Sequence, residues 1–217
     1  MQRSPLSATR RRQAKLLMLA GAFFVLLPPV MQYKAKRTEK ILVAVRHFAD
    51  PYFEKTLVWV TGNSLTGWRG VILNRPLTAA QHSQLPAFIR DQGIRVDYGG
   101  PIDFPGAIMV LEARDSAMHH GRRVFLLRSW EQAVADTPGL LDKIRQGQHE
   151  RPPRMRVFAG FAGWMGLQLE HEILFRFYWR NIPARPDIVW QSGGQPGWET
   201  IENGEAAKEK MQRARRT

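Results

Sequence analysis

The sequence predicts a single mixed α+β domain, and three observations carry that reading. Short runs rich in branched apolar residues cluster in the first half of the chain, as strands do. From residue 129 onward such runs alternate with stretches of helical spacing, which fits neither an all-α nor an all-β class. The chain has 217 residues and no internal repeat, so one domain with tails accounts for its length.

Taken in order, ILVAV (41–45) and TLVWV (56–60) are strands. Between them Asp50 and Pro51 form a helix-start pair, so FADPYFEK makes a single turn. TGNSLTG (61–67) is rich in turn residues and leads into WRGVILN (68–74), a hairpin pattern. Residues 78–92 predict a short helix, and GAIMVLEA (106–113) and RVFLLRS (123–129) two further strands. Ser129 caps a helical stretch with Glu131 near its start, Pro138 interrupts it, and LLDKIRQG ends it at Gly147. MRVFAGF (155–161) is a strand, GLQLEHEILFRFYW (166–179) a helix, and DIVWQ (187–191) a last strand.

Charge separates the chain into three parts. The formal net charge is +13, but residues 1–40 hold nine Lys and Arg against one Glu, and residues 204–217 five against two. The body between them is close to neutral, so sequence-specific nucleic-acid binding by the body is not expected. The absence of cysteine excludes disulfides, thiolate nucleophiles and Cys-ligated metals.

Residues 10–31 place Arg10, Arg11, Arg12 and Lys15 before an apolar run from Leu16 to Leu27, followed by Pro28 and Pro29. Extended to Met31, the run covers about 24 Å as helix against a hydrocarbon core of about 30 Å. No small-residue cleavage site follows it, and an uncleaved membrane anchor over Leu16–Met31 is expected. Lys34, Lys36, Arg37 and Lys40 balance the other flank, which leaves its sidedness open. The domain plan is therefore 1–38 basic segment and anchor, 39–191 folded body, and 192–217 loose basic tail.

Candidate chemistry concentrates in FAGFAGWMGLQLEHEI (158–173). Glu170, His171 and Glu172 point about 100° apart on a helix and cannot converge on one ion, and a zincin motif would need His where Phe175 stands. No metal site or cofactor is expected. Gly160, Gly163 and Gly166 do not match a dinucleotide fingerprint or a Walker loop. They fit a tight strand-to-helix turn, with Gly163 in a conformation that would strain a β-branched residue and Trp164 packed over it. On the helix, Leu169, Ile173 and Phe177 make a core stripe, and Glu172 and Arg176 an i, i+4 pair. No catalytic constellation is found, so no catalytic residue is named.

Three blocks carry a resemblance. They are ILVAVRHFADPYFEKTLVWVTGNSLTGWRGVILNRPL (41–77), YGGPIDFPGAIMVL (98–111) and FAGFAGWMGLQLEHEI (158–173). In order and spacing they resemble the YqgE/AlgH family over about residues 40–190. The matching residues are Asp50-Pro51 with Phe53, Gly67 and Gly70, Asn74-Arg75-Pro76, Gly99-Gly100-Pro101, Gly163-Trp164, Gln168-Leu169-Glu170 and Glu172-Ile173. The resemblance implies a mixed α+β fold with a curved, branched sheet. Some members of that family are named as regulators of exopolysaccharide (alginate) gene expression. Where members carry Cys-Glu-His this chain has Thr61-Gly62-Asn63, and where they carry Met-Pro it has Arg46-His47.

Two functions are expected. The first is a non-enzymatic binding or regulatory module, held at a membrane, with a site where Asn74, Arg75, Gly99, Gly100, Pro101, Gly163, Trp164, Gln168 and Glu170 meet. Its partner is an unidentified protein or small molecule. The second is a nucleotide- or phosphoester-handling enzyme that uses Arg75 and the glycine turn as an anion cradle, with Glu170 as base.

Overall fold

ILVAV puts an apolar side chain on both faces of one strand, so that strand needs cover on both sides. It has it. In β1 (Thr38–Ala44), Ile41 and Val43 belong to one core, Leu42 and Ala44 to another, and all four are fully buried. The computed structural model describes residues 38–115, 123–149, 155–190 and 194–214. The anchor expected over Leu16–Met31 lies outside these. Among the described residues no helix is long and apolar enough to cross a membrane.

The remaining strands are β2 (Leu57–Asn63), β3 (Gly67–Ile72), β4 (Val96–Tyr98), β5 (Ile108–Asp115), β6 (Arg123–Ser129), β7 (Met155–Ala159), β8 (Ala162–Trp164) and β9 (Trp179–Pro183). They form two sheets: a five-stranded antiparallel one in the order β8-β3-β2-β1-β9, and a four-stranded mixed one in the order β4-β7-β5-β6. Ile41, Val43, Trp59 and Val71 from the first meet Leu111, Phe125 and Phe158 from the second in a shared core. The outer face of the five-stranded sheet is covered by α5 (Gln168–Leu174) and an aromatic turn around Phe48 and Phe53. The outer face of the other is covered by α2 (Ala87–Arg90), α3 (Trp130–Asp136) and α4 (Leu140–His149), while α1 (Ala79–Ser83) buries no residue and leads into Leu85 of the same cluster.

The mixed α+β class holds, and the expected branch in the sheet takes a specific form. After β4, Gly99 donates its N–H to Ala159 of β7 and accepts from Ile72 of β3 with its carbonyl. β7 then passes through Gly160 into β8 and so from one sheet to the other. The branch is this seam between two sheets.

Several expected elements differ. The helix at 78–92 is two, because Pro86 stands between α1 and α2. Ser129 does cap α3, its hydroxyl accepting from Gln132 N in a capping box. Gly147 does not end α4 but lies buried inside it, where a Cβ would press on Met155. The helix at 166–179 stops at Leu174. Phe177 is left exposed at φ 53, outside the core stripe assigned to it, and β9 follows to pair the free side of β1.

The strand at 187–191 is instead α6 (Pro186–Val189), with Pro186 in its first turn. The loose tail of 192–217 is, over Gly194–Ala214, the helix α7. Trp198 and Glu202, one turn apart, are both buried. Trp198 donates to the Ala44 carbonyl, and Glu202 accepts from Arg46 and Arg180.

Candidate functional site

Asn74 and Arg75 sit just past β3, and both are committed to the chain's own backbone. Asn74 is buried; its Oδ1 accepts from Leu57 N at 2.8 Å and its Nδ2 donates to the Lys55 carbonyl at 2.9 Å. The Arg75 guanidinium donates to the carbonyls of Pro51, Tyr52 and Glu54. Asp50 opens the same turn by accepting from Tyr52 N and Phe53 N. The pair thus locks the 50–57 turn in place, and the cation expected to cradle an anion is spent on three carbonyls. Burial pushes the neighbouring Tyr98 phenol up, against the pull of Arg75.

Gly99 and Gly100 answer a packing need. Gly99 and Gly160 meet so closely that a Cβ on either would overlap backbone oxygen, Gly160 O for Gly99 and Gly100 O for Gly160. Gly160 also has φ 70, and this is the left-handed turn of the stretch. Gly163 was expected to hold that position, but it lies in extended β8, paired with Arg69 of β3. A Cβ there would reach only the movable tip of Ile102 at 3.1 Å. Pro101 leads into Ile102, which bridges to Phe161. The helix that follows spans seven residues from a left-handed Leu167. The glycines therefore shape the seam.

The signature carboxylates are equally engaged. Glu170 Oε1 accepts from Ser64 Oγ at 2.7 Å and from Trp68 Nε1 at 2.9 Å, while the Lys40 ammonium lies 3.9 Å from the Trp68 ring centroid. Burial alone would raise the Glu170 pKa. The hydrogen bonds from Ser64 and Trp68 and the charge of Lys40 outweigh it and hold the carboxyl below its ordinary 4.5. Burial depresses the Lys40 ammonium, which Glu170 partly restores. Glu170 is thus an ionised, bonded group and a poor base. Its Oε2 is buried with no partner among the described residues.

Glu172 does not pair with Arg176. Its Oε2 accepts from Trp164 Nε1 and Trp179 Nε1, each at 2.9 Å, and its Oε1 from Gln168 Nε2 at 3.0 Å. Gln168 Oε1 in turn accepts from Met165 N.

Three of the expected residues do share a surface. Gly163, Trp164 and Gln168 line a cleft of about 560 Å³ with Thr61, Arg69, Ile102 and Phe161. Asn74, Arg75, Gly99, Gly100, Pro101 and Glu170 are not among its lining residues; they brace the elements around it. Sequence reasoning passed over Arg69. Its signal is a charge at the inward phase of a strand, two residues before the buried Val71. Such a cleft offers hydroxyls, one guanidinium and apolar walls: groups that hold a molecule. Among the described residues no cluster of three His, Asp or Glu could hold a metal ion.

The AlgH-like family model matches residues 41–204. A UPF0301 protein of Nitrosospira multiformis is 31% identical over 160 residues, covering 71% of this chain and 82% of its own. Another from Afipia carboxidovorans is 32% identical over 165 residues, covering 70% and 75%. Among solved structures, a Corynebacterium diphtheriae protein aligns over 77% of this chain and 86% of its own with TM-score 0.51 and 19% identity, a likeness of fold alone. The solution structure of the AlgH protein from Pseudomonas aeruginosa covers 80% and 87% with TM-score 0.48 at 24% identity.

Proposed function

The chain belongs to the AlgH-like family, and from that premise we propose that it is a binding module without chemistry of its own, held at a membrane by Leu16–Met31. One observation carries the reading. The cleft at Gly163, Trp164 and Gln168 is open, while the signature carboxylates around it are tied to Ser64 and to three indole N–H groups. A general base needs a free lone pair and a pKa near the working pH. Glu170 Oε1 is already held by Ser64 and Trp68 with the carboxyl below its ordinary range, and three N–H donors of Arg75 are spent on carbonyls. Both residues that an enzymatic reading would use are thus engaged within the chain, which favours the binding reading. Occupation of the cleft would then act on gene expression or on envelope and exopolysaccharide processes.

The test uses the full chain in a host lacking it, scored by transcript profile and exopolysaccharide yield. Thr66→Trp fills the exposed cleft wall without touching the core. It should abolish complementation at unchanged protein level. Full complementation by Thr66→Trp would refute the cleft as the working site. For the anchor, the full chain should fractionate with membranes and deletion of residues 1–38 should release it; an intact chain in the soluble fraction would refute the tether.

A further inference from the structure

We propose that Arg69 and Phe161 form the anion-recognising end of this cleft, and that its ligand is a small molecule carrying a carboxylate or phosphate on a flat, apolar body. The inference rests on the binding reading above and names its ligand class. It begins with register. Thr61, Arg69 and Gly163 lie opposite one another on adjacent strands and so project from the same face. Two residues further along, that face carries Trp59 and Val71, both fully buried against the second sheet. A face that runs from apolar to charged within one strand period marks where the covering sheet stops. A guanidinium left there under protein would be an uncompensated buried charge, so its cover must be water or an anion.

Arg69 is exposed and, among the described residues, no hydrogen bond or ion pair engages it. Arg75, Arg128 and Arg156 by contrast are spent on carbonyls or carboxylates. No acidic side chain lines the cleft. On the same row the next acid is Glu39, beyond Thr61. The guanidinium carbon lies 5.1 Å from the Phe161 ring centroid, within cation–π range, and the fork of N–H donors that a guanidinium carries matches a planar oxyanion. Beside it Gly163 carries no side chain, and the Ile102 side-chain tip and the Phe161 ring flank its backbone as apolar walls. A volume of about 560 Å³ suits one ring system with its anion.

The experiment titrates the protein with adenosine 5′-monophosphate, benzoate, adenosine and inorganic phosphate, followed by amide NMR shifts and calorimetry. The monophosphate and benzoate should saturate, with shifts centred on Thr61, Arg69 and Gly163. Loss of a charge-assisted pair predicts that adenosine binds about 10- to 100-fold more weakly than its monophosphate, and that Arg69→Ala weakens the monophosphate by the same factor. Arg69→Lys, which keeps the charge and loses the fork, should fall between. Both variants should melt within a few degrees of the wild type, since among the described residues no hydrogen bond or ion pair engages Arg69 and an exposed cation–π contact contributes little. Saturation by adenosine with equal strength, unaffected by Arg69→Ala, would overturn the anion inference and leave the binding module standing. Phosphate binding as tightly as the monophosphate would overturn the flat body. Failure of every probe to saturate at millimolar concentration overturns the ligand class, whereas failure of the module itself is read from complementation by Thr66→Trp.

Discussion

Replacing Glu172 measures what holds α5 to the sheet. All three groups around its carboxylate are donors: the indoles of Trp164 and Trp179 on Oε2, and Gln168 Nε2 on Oε1. Glu172→Gln keeps the shape but turns one oxygen into an NH2 that faces another NH2. Gln168 cannot rotate to accept from it, because its own Oε1 is already held by Met165 N. A bond to a charged group contributes about 1.5–3 kcal/mol and a neutral one about 1 kcal/mol. Two weakened bonds and one lost bond then come to about 3 kcal/mol for Glu172→Gln.

Glu172→Ala leaves both indole N–H groups without an acceptor. Trp164 and Trp179 are 5% and 3% exposed, so water replaces little. At about 1–3 kcal/mol for each stranded donor, the cost is about 4 kcal/mol. For a domain of this size the melting temperature should fall about 6–12 °C for the first variant and further for the second. A surface i, i+4 pair with Arg176 would contribute only a few tenths of a kcal/mol. Circular dichroism melts therefore separate the two arrangements widely. Variants that both melt within a degree of the wild type would refute the clamp.

The seam, the acid response and the C-terminal helix give further outcomes. Gly160→Ala must strain φ 70 and displace the Gly100 carbonyl, and should cost several times more stability than Gly163→Ala, whose Cβ meets only a movable Ile102 tip; equal urea midpoints would contradict this. Because the folded Glu170 carboxyl is held below its ordinary 4.5, it contributes stability present above that value and lost as pH falls through its lower folded value. Glu170→Gln should therefore be destabilised at pH 7, and its gap from the wild type should narrow below pH 4.5; a gap independent of pH would exclude the Ser64–Trp68–Lys40 arrangement. Ending the chain at residue 193 removes the buried Glu202 carboxylate that Arg46 and Arg180 share and uncovers the core beneath Trp198, so it should lower the melting temperature rather than leave it unchanged as a loose tail would.

How far the fold is legible depends on whether a signal is local. ILVAV, the Asp50-Pro51 turn and the Ser129 cap are readable because the residues that need each other lie within a few positions. WRNIP is not, since it becomes a strand only by pairing the free side of β1, well over a hundred residues earlier. Pro186 and Asp187 are a helix start, but the branched Ile188 and Val189 beside them argue for a strand, and the short helix prevails. In α7 a polar composition conceals two side chains one turn apart that dock on β1 and its flank. At the site, sequence identifies Asn74, Arg75 and Glu170 as special without saying for whom. Asn74 and Arg75 serve carbonyls and an N–H of the same chain, and those carry no sequence signal at all. Arg69 is a lone charge in a strand, and its meaning depends on where a second sheet ends.

The seam and the cleft have one cause. A chain that passes from β7 to β8 within three residues must turn at Gly160, and the turn brings Gly160 against Gly99 and Gly100 with no room for side chains. Because β7 belongs to one sheet and β8 to the other, the sheets are joined there and diverge beyond it. Phe161 follows Gly160 between the two strands and is tied to Ile102 by two backbone hydrogen bonds. Its backbone is therefore held by the same crossing beside which Thr61, Arg69 and Gly163 line the cleft. Asn74 and Arg75 hold the 50–57 turn, Glu170 and Glu172 hold the indoles that seat α5, and the glycines set the crossing. The residues that mark this chain most plainly build the walls, and the recognition proposed above falls to the side chains those walls expose.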